Sequence, residues 1–127
     1  MNAIIEQSVA VKVETAYLPE QSDPEAQRFV FSYHITITNQ GTQTVQLLSR
    51  RWLVTDGDEQ TQVVEGEGVV GEQPTIEPGN SYSYTSGTIL PTHVGSMRGH
   101  YRMRQQDGEE FFAPIEPFTL AQPNALH

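Results

Sequence analysis

Between Phe29 and Thr38 the chain alternates without a break. Phe29, Phe31, Tyr33, Ile35 and Ile37 share one parity, and Val30, Ser32, His34, Thr36 and Thr38 share the other. Successive side chains of a β-strand point to opposite sides, so a period of two marks a strand with one face committed to a core. The same period recurs from Ser8 to Tyr17, where Val9, Val11 and Val13 oppose Lys12 and Glu14. It recurs again at Tyr82, Tyr84 and Ser86, and in Met97, Gly99, Tyr101 and Met103 set against Arg98, His100, Arg102 and Arg104. No stretch of helical length carries an apolar stripe at helical spacing. The chain is therefore expected to be all-β.

Turn chemistry punctuates these runs. Pro19 to Glu25 reads as an exposed loop, Asn39-Gln-Gly-Thr42 and Asp107-Gly108 as hairpin turns, and Asp56-Gly57 and Pro78-Gly79 as further reversals. After Asp56-Gly57 the chain returns as a short strand, Thr61 to Glu65, and Pro91 to Gly95 is loop. Within Val45–Thr55 the apolar parity switches: Val45 and Leu47 have one phase, whereas Leu48, Trp52 and Val54 have the other. A β-bulge or a bend near Leu47 and Ser49 accounts for such a switch. Glu110–Ala113 forms the second arm of the last hairpin, and Phe118 and Leu120 finish the sheet beyond Pro117. About seven antiparallel strands with regularly spaced turns describe one sandwich domain, with its core between residues 8 and 120 and a frayed tail at 121–127.

Two details sharpen that architecture. Trp52 falls where an immunoglobulin-like domain keeps its core tryptophan, on the third strand. Tyr101-x-Met103 falls where such domains carry Tyr-x-Cys, which makes Tyr101 a candidate tyrosine corner. Met103 is expected to pack its thioether against the Trp52 ring in place of a disulfide.

Composition removes several chemistries. With no cysteine there are no disulfides, thiolate nucleophiles or cysteine-based metal sites, which suits a reducing cytoplasm. The formal charge of −9, from 16 acidic against 7 basic residues, disfavours nucleic acid and anionic membrane as partners. No charged leader followed by an apolar run is present, and no apolar run is long enough to span a bilayer, so neither a signal peptide nor a membrane span is expected. The histidines His34, His93, His100 and His127 have no ligand-type spacing, and no serine sits in a nucleophile elbow. No catalytic residue and no cofactor is expected.

Three features are candidates for binding. Gly66-x-Gly68-x-x-Gly71 matches a dinucleotide fingerprint in letters, but such a fingerprint must open a helix whose N-terminus holds phosphate. Pro74 and Pro78 follow too soon for that helix, and Glu65, Glu67 and Glu72 would repel phosphate. The loop therefore reads first as structural or as a recognition loop, and second as an anion site. Asp56, Asp58 and Glu67 loosely imitate a calcium loop, but residue six of that frame is Thr61 rather than glycine, so a hairpin turn is the better reading. Arg98, His100, Arg102 and Arg104 form a basic stripe, to which Arg50 and Arg51 add. Cross-strand pairing with carboxylates competes there with a site for a small anion or an acidic partner.

With these residues laid out, the chain resembles the ApaG family. The stretches that carry the resemblance are Val45-Gln-Leu-Leu-Ser-Arg-Arg-Trp52, Gly66-Glu-Gly-Val-Val-Gly-Glu-Gln-Pro74, Pro78-Gly79, Tyr84-Thr-Ser-Gly87 and Gly95-Ser-Met-Arg-Gly99 with Tyr101. Arg51 stands where the family often has histidine. The resemblance implies a fibronectin type III-like β-sandwich in a cytoplasmic protein without enzymatic activity. It also implies a protein-binding module linked to cobalt and magnesium tolerance. On this reading Gly66, Gly68, Gly71, Arg50 and Arg51 form a recognition surface for another cytoplasmic protein. The alternative is a pyrophosphate or nucleotide held by Arg98, Arg102 and the loop amides. Open sandwich edges also allow pairing of two chains.

Overall fold

The computed structural model describes residues 8–123. Eight strands follow in order: β1 (Val9–Tyr17), β2 (Phe29–Asn39), β3 (Val45–Asp56), β4 (Thr61–Glu67), β5 (Thr75–Ile76), β6 (Ser81–Leu90), β7 (Val94–Gln105) and β8 (Glu110–Ala121). Two single 3-10 turns, Pro19–Gln21 and Pro24–Ala26, shape the loop between β1 and β2. No helix among the described residues is long and apolar enough to cross a membrane.

The strands divide into two antiparallel sheets. One has the order β1-β2-β6; the other has the order β4-β3-β7-β8, with the two-residue β5 paired to β3. This is the expected immunoglobulin-like, fibronectin type III-like sandwich, with β5 as a short addition to the seven longer strands. The alternation in β2 does what its period demands. Phe29, Phe31, Tyr33, Ile35 and Ile37 are buried, while Ser32, His34, Thr36 and Thr38 line the outer side. There Thr36 and Thr38 meet Ser83 and Ser81 of β6 through hydroxyl pairs.

One turn differs from expectation. Asn39 to Thr42 does not close a hairpin; it carries the chain from the first sheet to the second. Asn39 is fully buried at this corner. Its Nδ2 donates to the carbonyls of Gln43 (2.8 Å) and Ile76 (2.9 Å), and its Oδ1 accepts from the Gly41 amide (2.9 Å). A side chain that satisfies three backbone groups holds a corner that no local pairing could hold.

Trp52 lies at the centre, as expected, with ring centroids 5.4 Å from Tyr33, 5.7 Å from Phe118 and 6.4 Å from Tyr101. Met103 is not its cross-strand neighbour: the register sets Met103 opposite Leu47 and Trp52 opposite Gly99, four residues away on β7. A β-carbon at Gly99 would fall 1.9 Å from the Arg51 carbonyl oxygen, so only glycine fits beside the tryptophan strand. Tyr101 is no tyrosine corner either. Its hydroxyl meets the Tyr84 hydroxyl across the sandwich at 2.5 Å instead of a nearby backbone group.

The larger sheet has two irregularities. The β3 bulge between Leu47 and Ser49 lies where the parity switch placed it, with Leu47 and Leu48 both buried. A second bulge interrupts the β7–β8 pairing between Met97 and Gly99, so that Glu116 and Pro117 of β8 have no direct partner on β7. Ala121 closes β8, and the Gln122 amide donates to the His93 carbonyl at 2.9 Å. The rest of that tail, from Asn124, lies outside the described residues.

Candidate functional site

Parity past the β3 bulge decides what each arginine can do. Arg50 is opposite Tyr101 on β7 and Gly66 on β4, which puts it on the core-facing side. Arg51 is opposite His100 and Glu65, on the outer side. The two arginines, expected to act together on one surface, therefore belong to opposite faces of one sheet.

Arg50 is spent within the protein. Its Nη1 donates to the carbonyls of Gly68 (2.9 Å) and Glu67 (3.3 Å), and the guanidinium lies against Gly66. It braces the glycine stretch from the inside. That stretch is a tight reversal: the Val69 amide donates to the Glu72 carbonyl at 2.8 Å, and the Glu72 amide returns to Val69 at 3.0 Å. The central residues Val70 (φ 48°) and Gly71 (φ 79°) are both left-handed, the signature of a type I′ turn. Gly68 is left-handed as well, and its amide donates to the Leu48 carbonyl at 2.8 Å. Gln73 Nε2 reaches the same carbonyl at 2.9 Å, and Tyr82 donates its hydroxyl to a Glu72 carboxylate oxygen at 2.9 Å. Burial, and then this carboxylate, hold the Tyr82 phenol above its ordinary pKa. Val69 is fully buried, whereas Val70 is 63% exposed at the turn tip.

A phosphate cradle needs unspent amides and cations. Here the amides of Gly68, Val69 and Glu72 are bonded internally, and Arg50 faces carbonyl oxygens. Arg102 shares a row with Ser49 and Glu67, near the start of the loop, but Arg98 lies four residues away along β7, roughly 13 Å at strand rise. The loop, Arg98 and Arg102 are not gathered into one pocket. The metal candidates are separated too. Asp56 Oδ1 accepts from the amides of Asp58 (2.8 Å) and Gln60 (3.0 Å), closing the β3–β4 turn, while Glu67 ends β4 at the far side. Among the described residues no group of three or more His, Asp or Glu side chains is placed to hold a metal ion.

The outer face of the larger sheet is a different surface. Its register gives three rows across β4, β3, β7 and β8: Glu67–Ser49–Arg102–Phe112, Glu65–Arg51–His100–Pro114, and Val63–Leu53–Arg98 facing the β8 bulge. The expected carboxylate pairing occupies much of the basic stripe. Arg51 Nε meets Glu65 at 2.8 Å, Arg102 Nη1 meets Glu110 at 2.7 Å, and Arg104 Nη2 meets the other Glu110 oxygen at 3.1 Å. The guanidiniums of Arg104 and Arg102 hold the Glu110 carboxyl below the usual glutamate range. Arg98 makes no ion pair with Glu116 or any other described carboxylate.

Apolar groups interleave with these charges. Phe112 is 54% exposed with its ring centroid 4.7 Å from the His100 ring, and Val63 is 48% exposed beside Leu53. These residues carry no motif. Phe111-Phe112 does offer one signal, since adjacent strand residues cannot both face a core.

Known proteins give this arrangement a context. A family model described as the ApaG domain matches residues 19–105. The "Protein ApaG" of Pseudomonas aeruginosa strain PAO1 is 60% identical over 119 residues, covering 94% of each chain. A crystal structure described as the putative ApaA protein from Bordetella pertussis is 48% identical, with a TM-score of 0.90, over 92% of this chain and 95% of that one. An X-ray structure of a structural-genomics target is 49% identical with a TM-score of 0.92, over 97% and 93% of the two chains.

Proposed function

The chain belongs to the ApaG domain family, and from that premise we propose that it is a non-enzymatic, cytoplasmic protein-recognition module. Its contact surface is the outer face of the sheet β4-β3-β7-β8. One observation carries this reading: that face combines Phe112, Val63 and Leu53 with Arg51, Arg98, His100 and Arg102. The outer side of an antiparallel sheet is ordinarily polar. Two of the four exposed large apolar residues among those described, Val63 and Phe112, are instead on this one face. Aromatic and arginine side chains are the types enriched at protein contacts, whereas lysine is depleted there, and this face holds no lysine.

The glycine stretch enters this proposal as a rigid border, and only the Val70 tip adds apolar surface. The nucleotide alternative is weaker, because Arg50 and three loop amides already have internal partners. We read the link to cobalt and magnesium tolerance as indirect, exerted through the protein partner. A photo-crosslinking residue at Phe112, compared with one at Thr36 on the opposite outer face, tests the proposal in living cells. Discrete covalent partners from the Phe112 site alone are the expected result. Equal labelling from both sites, or none from either, would overturn it.

A further inference from the structure

The cleft around Arg98 narrows that recognition surface to one kind of partner. It is shallow, about 300 Å³, and lined by Arg51, Leu53, Arg98, His100, Ile115 and Pro117. It exists because β8 bulges. Where a regular strand would set a side chain opposite Arg98, the pairing passes from Ile115 at Gly99 to Phe118 at Met97. Pro117, which has no amide to pair, fits the gap. On the other side Arg98 is opposite Leu53, and Glu116, the carboxylate within the bulge, makes no ion pair with it.

The basic residues of β7 differ in their partners. Arg102 and Arg104 share Glu110, and Arg51 has Glu65. Arg98 and His100 face outward without an ion pair among the described residues, in a chain whose acidic residues outnumber its basic ones by more than two to one. His100 instead sets its ring against Phe112. Two residues apart on one strand, Arg98 and His100 stand on the same face with their Cα atoms roughly 7 Å apart. An extended peptide projects its own i and i+2 side chains on one side at that same spacing.

We propose that this cleft binds an extended acidic segment of a partner protein. Carboxylates two residues apart meet Arg98 and His100, and neighbouring apolar side chains cover Leu53 and Phe112. The inference rests on the recognition face proposed above and adds the chemistry of its partner. Charge complementarity carries it: a guanidinium beside apolar walls favours a carboxylate through charge-assisted hydrogen bonds.

Nitrogen-15 NMR titration with a short peptide that alternates glutamate and valine tests the proposal. The controls are the same peptide with glutamine for glutamate, inorganic phosphate, and a single-stranded oligonucleotide. The glutamate peptide is expected to shift Leu53, Arg98, Gly99 and His100, and to bind about tenfold more tightly than the glutamine peptide. Arg98→Gln is expected to abolish that preference, while Arg28→Gln, outside this sheet, leaves it intact. Equal affinity for the two peptides would overturn the proposal. So would tighter binding of phosphate or oligonucleotide at the same residues, a preference that survives Arg98→Gln, or shifts explained by self-association on dilution. If the peptide fails while Phe112 still crosslinks a partner in cells, the face is a recognition surface and only its acidic specificity is wrong.

Discussion

The Arg50 guanidinium lies so close over Gly66 that a β-carbon there would fall 2.7 Å from its Nη1. This contact joins the core side of β3 to the stretch that most resembles a ligand loop, and it explains why that stretch is built rather than open. Arg50 needs glycine beneath it in order to reach the Gly68 carbonyl.

The three glycines are therefore expected to separate by cost. A methyl at Gly68 would meet the Glu72 carbonyl oxygen at 2.2 Å, at a left-handed φ of 63°. Backbone cannot yield cheaply, so Gly68→Ala should destabilise by about 2–4 kcal/mol. Gly66→Ala displaces only the end of a flexible side chain and should cost about 1 kcal/mol, roughly one hydrogen bond. Gly71 is left-handed with open space around it, so alanine there should also cost about 1 kcal/mol, and asparagine less. Urea midpoints of the three variants check the order.

Asn39 should tolerate no replacement. Asn39→Ala strands the buried Ile76 carbonyl and leaves the half-buried Gln43 carbonyl and Gly41 amide without this partner, and a loss of about 2–4 kcal/mol is expected. Asn39→Asp, nearly the same shape, should be at least as damaging at neutral pH, because it points a carboxylate oxygen at two carbonyl oxygens. Equilibrium unfolding followed by Trp52 fluorescence reads both.

The Tyr84–Tyr101 pair predicts behaviour at high pH. Burial raises both phenol pKa values above the ordinary tyrosine range; for Tyr101 the neighbouring Tyr84 raises it further, while for Tyr84 the hydrogen bond shared with Tyr101 partly offsets the rise. A raised folded pKa means a contribution that is whole below the unfolded value of about 10 and is lost as pH climbs from there toward the folded value. Ultraviolet titration should show these two tyrosines ionising only together with unfolding. Tyr101→Phe leaves the Tyr84 hydroxyl without its partner and should lower the melting temperature.

At low pH the last hairpin should respond first. The Arg104 and Arg102 guanidiniums depress the Glu110 pKa, and the Glu109 amide followed by the Gln43 side chain depress that of Asp107. Depressed folded values stabilise above the unfolded carboxylate pKa of about 4, and that contribution disappears as pH falls through the folded values. Carbon-13 NMR of the carboxyls should find both below the ordinary range. Glu110→Gln should remove the Glu110 part of the acid dependence. Because the pair is exposed, the melting temperature at neutral pH should change little.

Much of the fold was legible because strand periodicity is local. The buried set of β2, the bulge near Leu47, the central Trp52 and the Asp107-Gly108 hairpin follow from parity and turn residues. The Asn39 turn was not legible. The same Gln-Gly letters serve a hairpin or a change of sheet, and the buried amide that decides between them bonds to Ile76, far along the chain. The candidate site was legible only in part. Alternation alone places Arg98, His100 and Arg102 on one outer stripe. Arg50 shares its parity with Trp52, so adjacency to Arg51 was the misleading cue. Phe112, Val63 and Leu53 belong to no motif, and pairing register alone brings them into one face.

By itself, then, the order of residues determined that this protein is a sandwich of alternating strands, which side of β7 carries charge, and that the Gly66–Gly71 stretch opens no helix. A pleat puts neighbours on opposite faces whatever else surrounds them. Tertiary structure decided that Arg50 is spent on carbonyls, that Glu110 answers two arginines, and that Arg98, across from the β8 bulge, has no ion pair among the described residues. Those outcomes depend on which strands pair and in what register, and the atoms that set the register are distant in sequence.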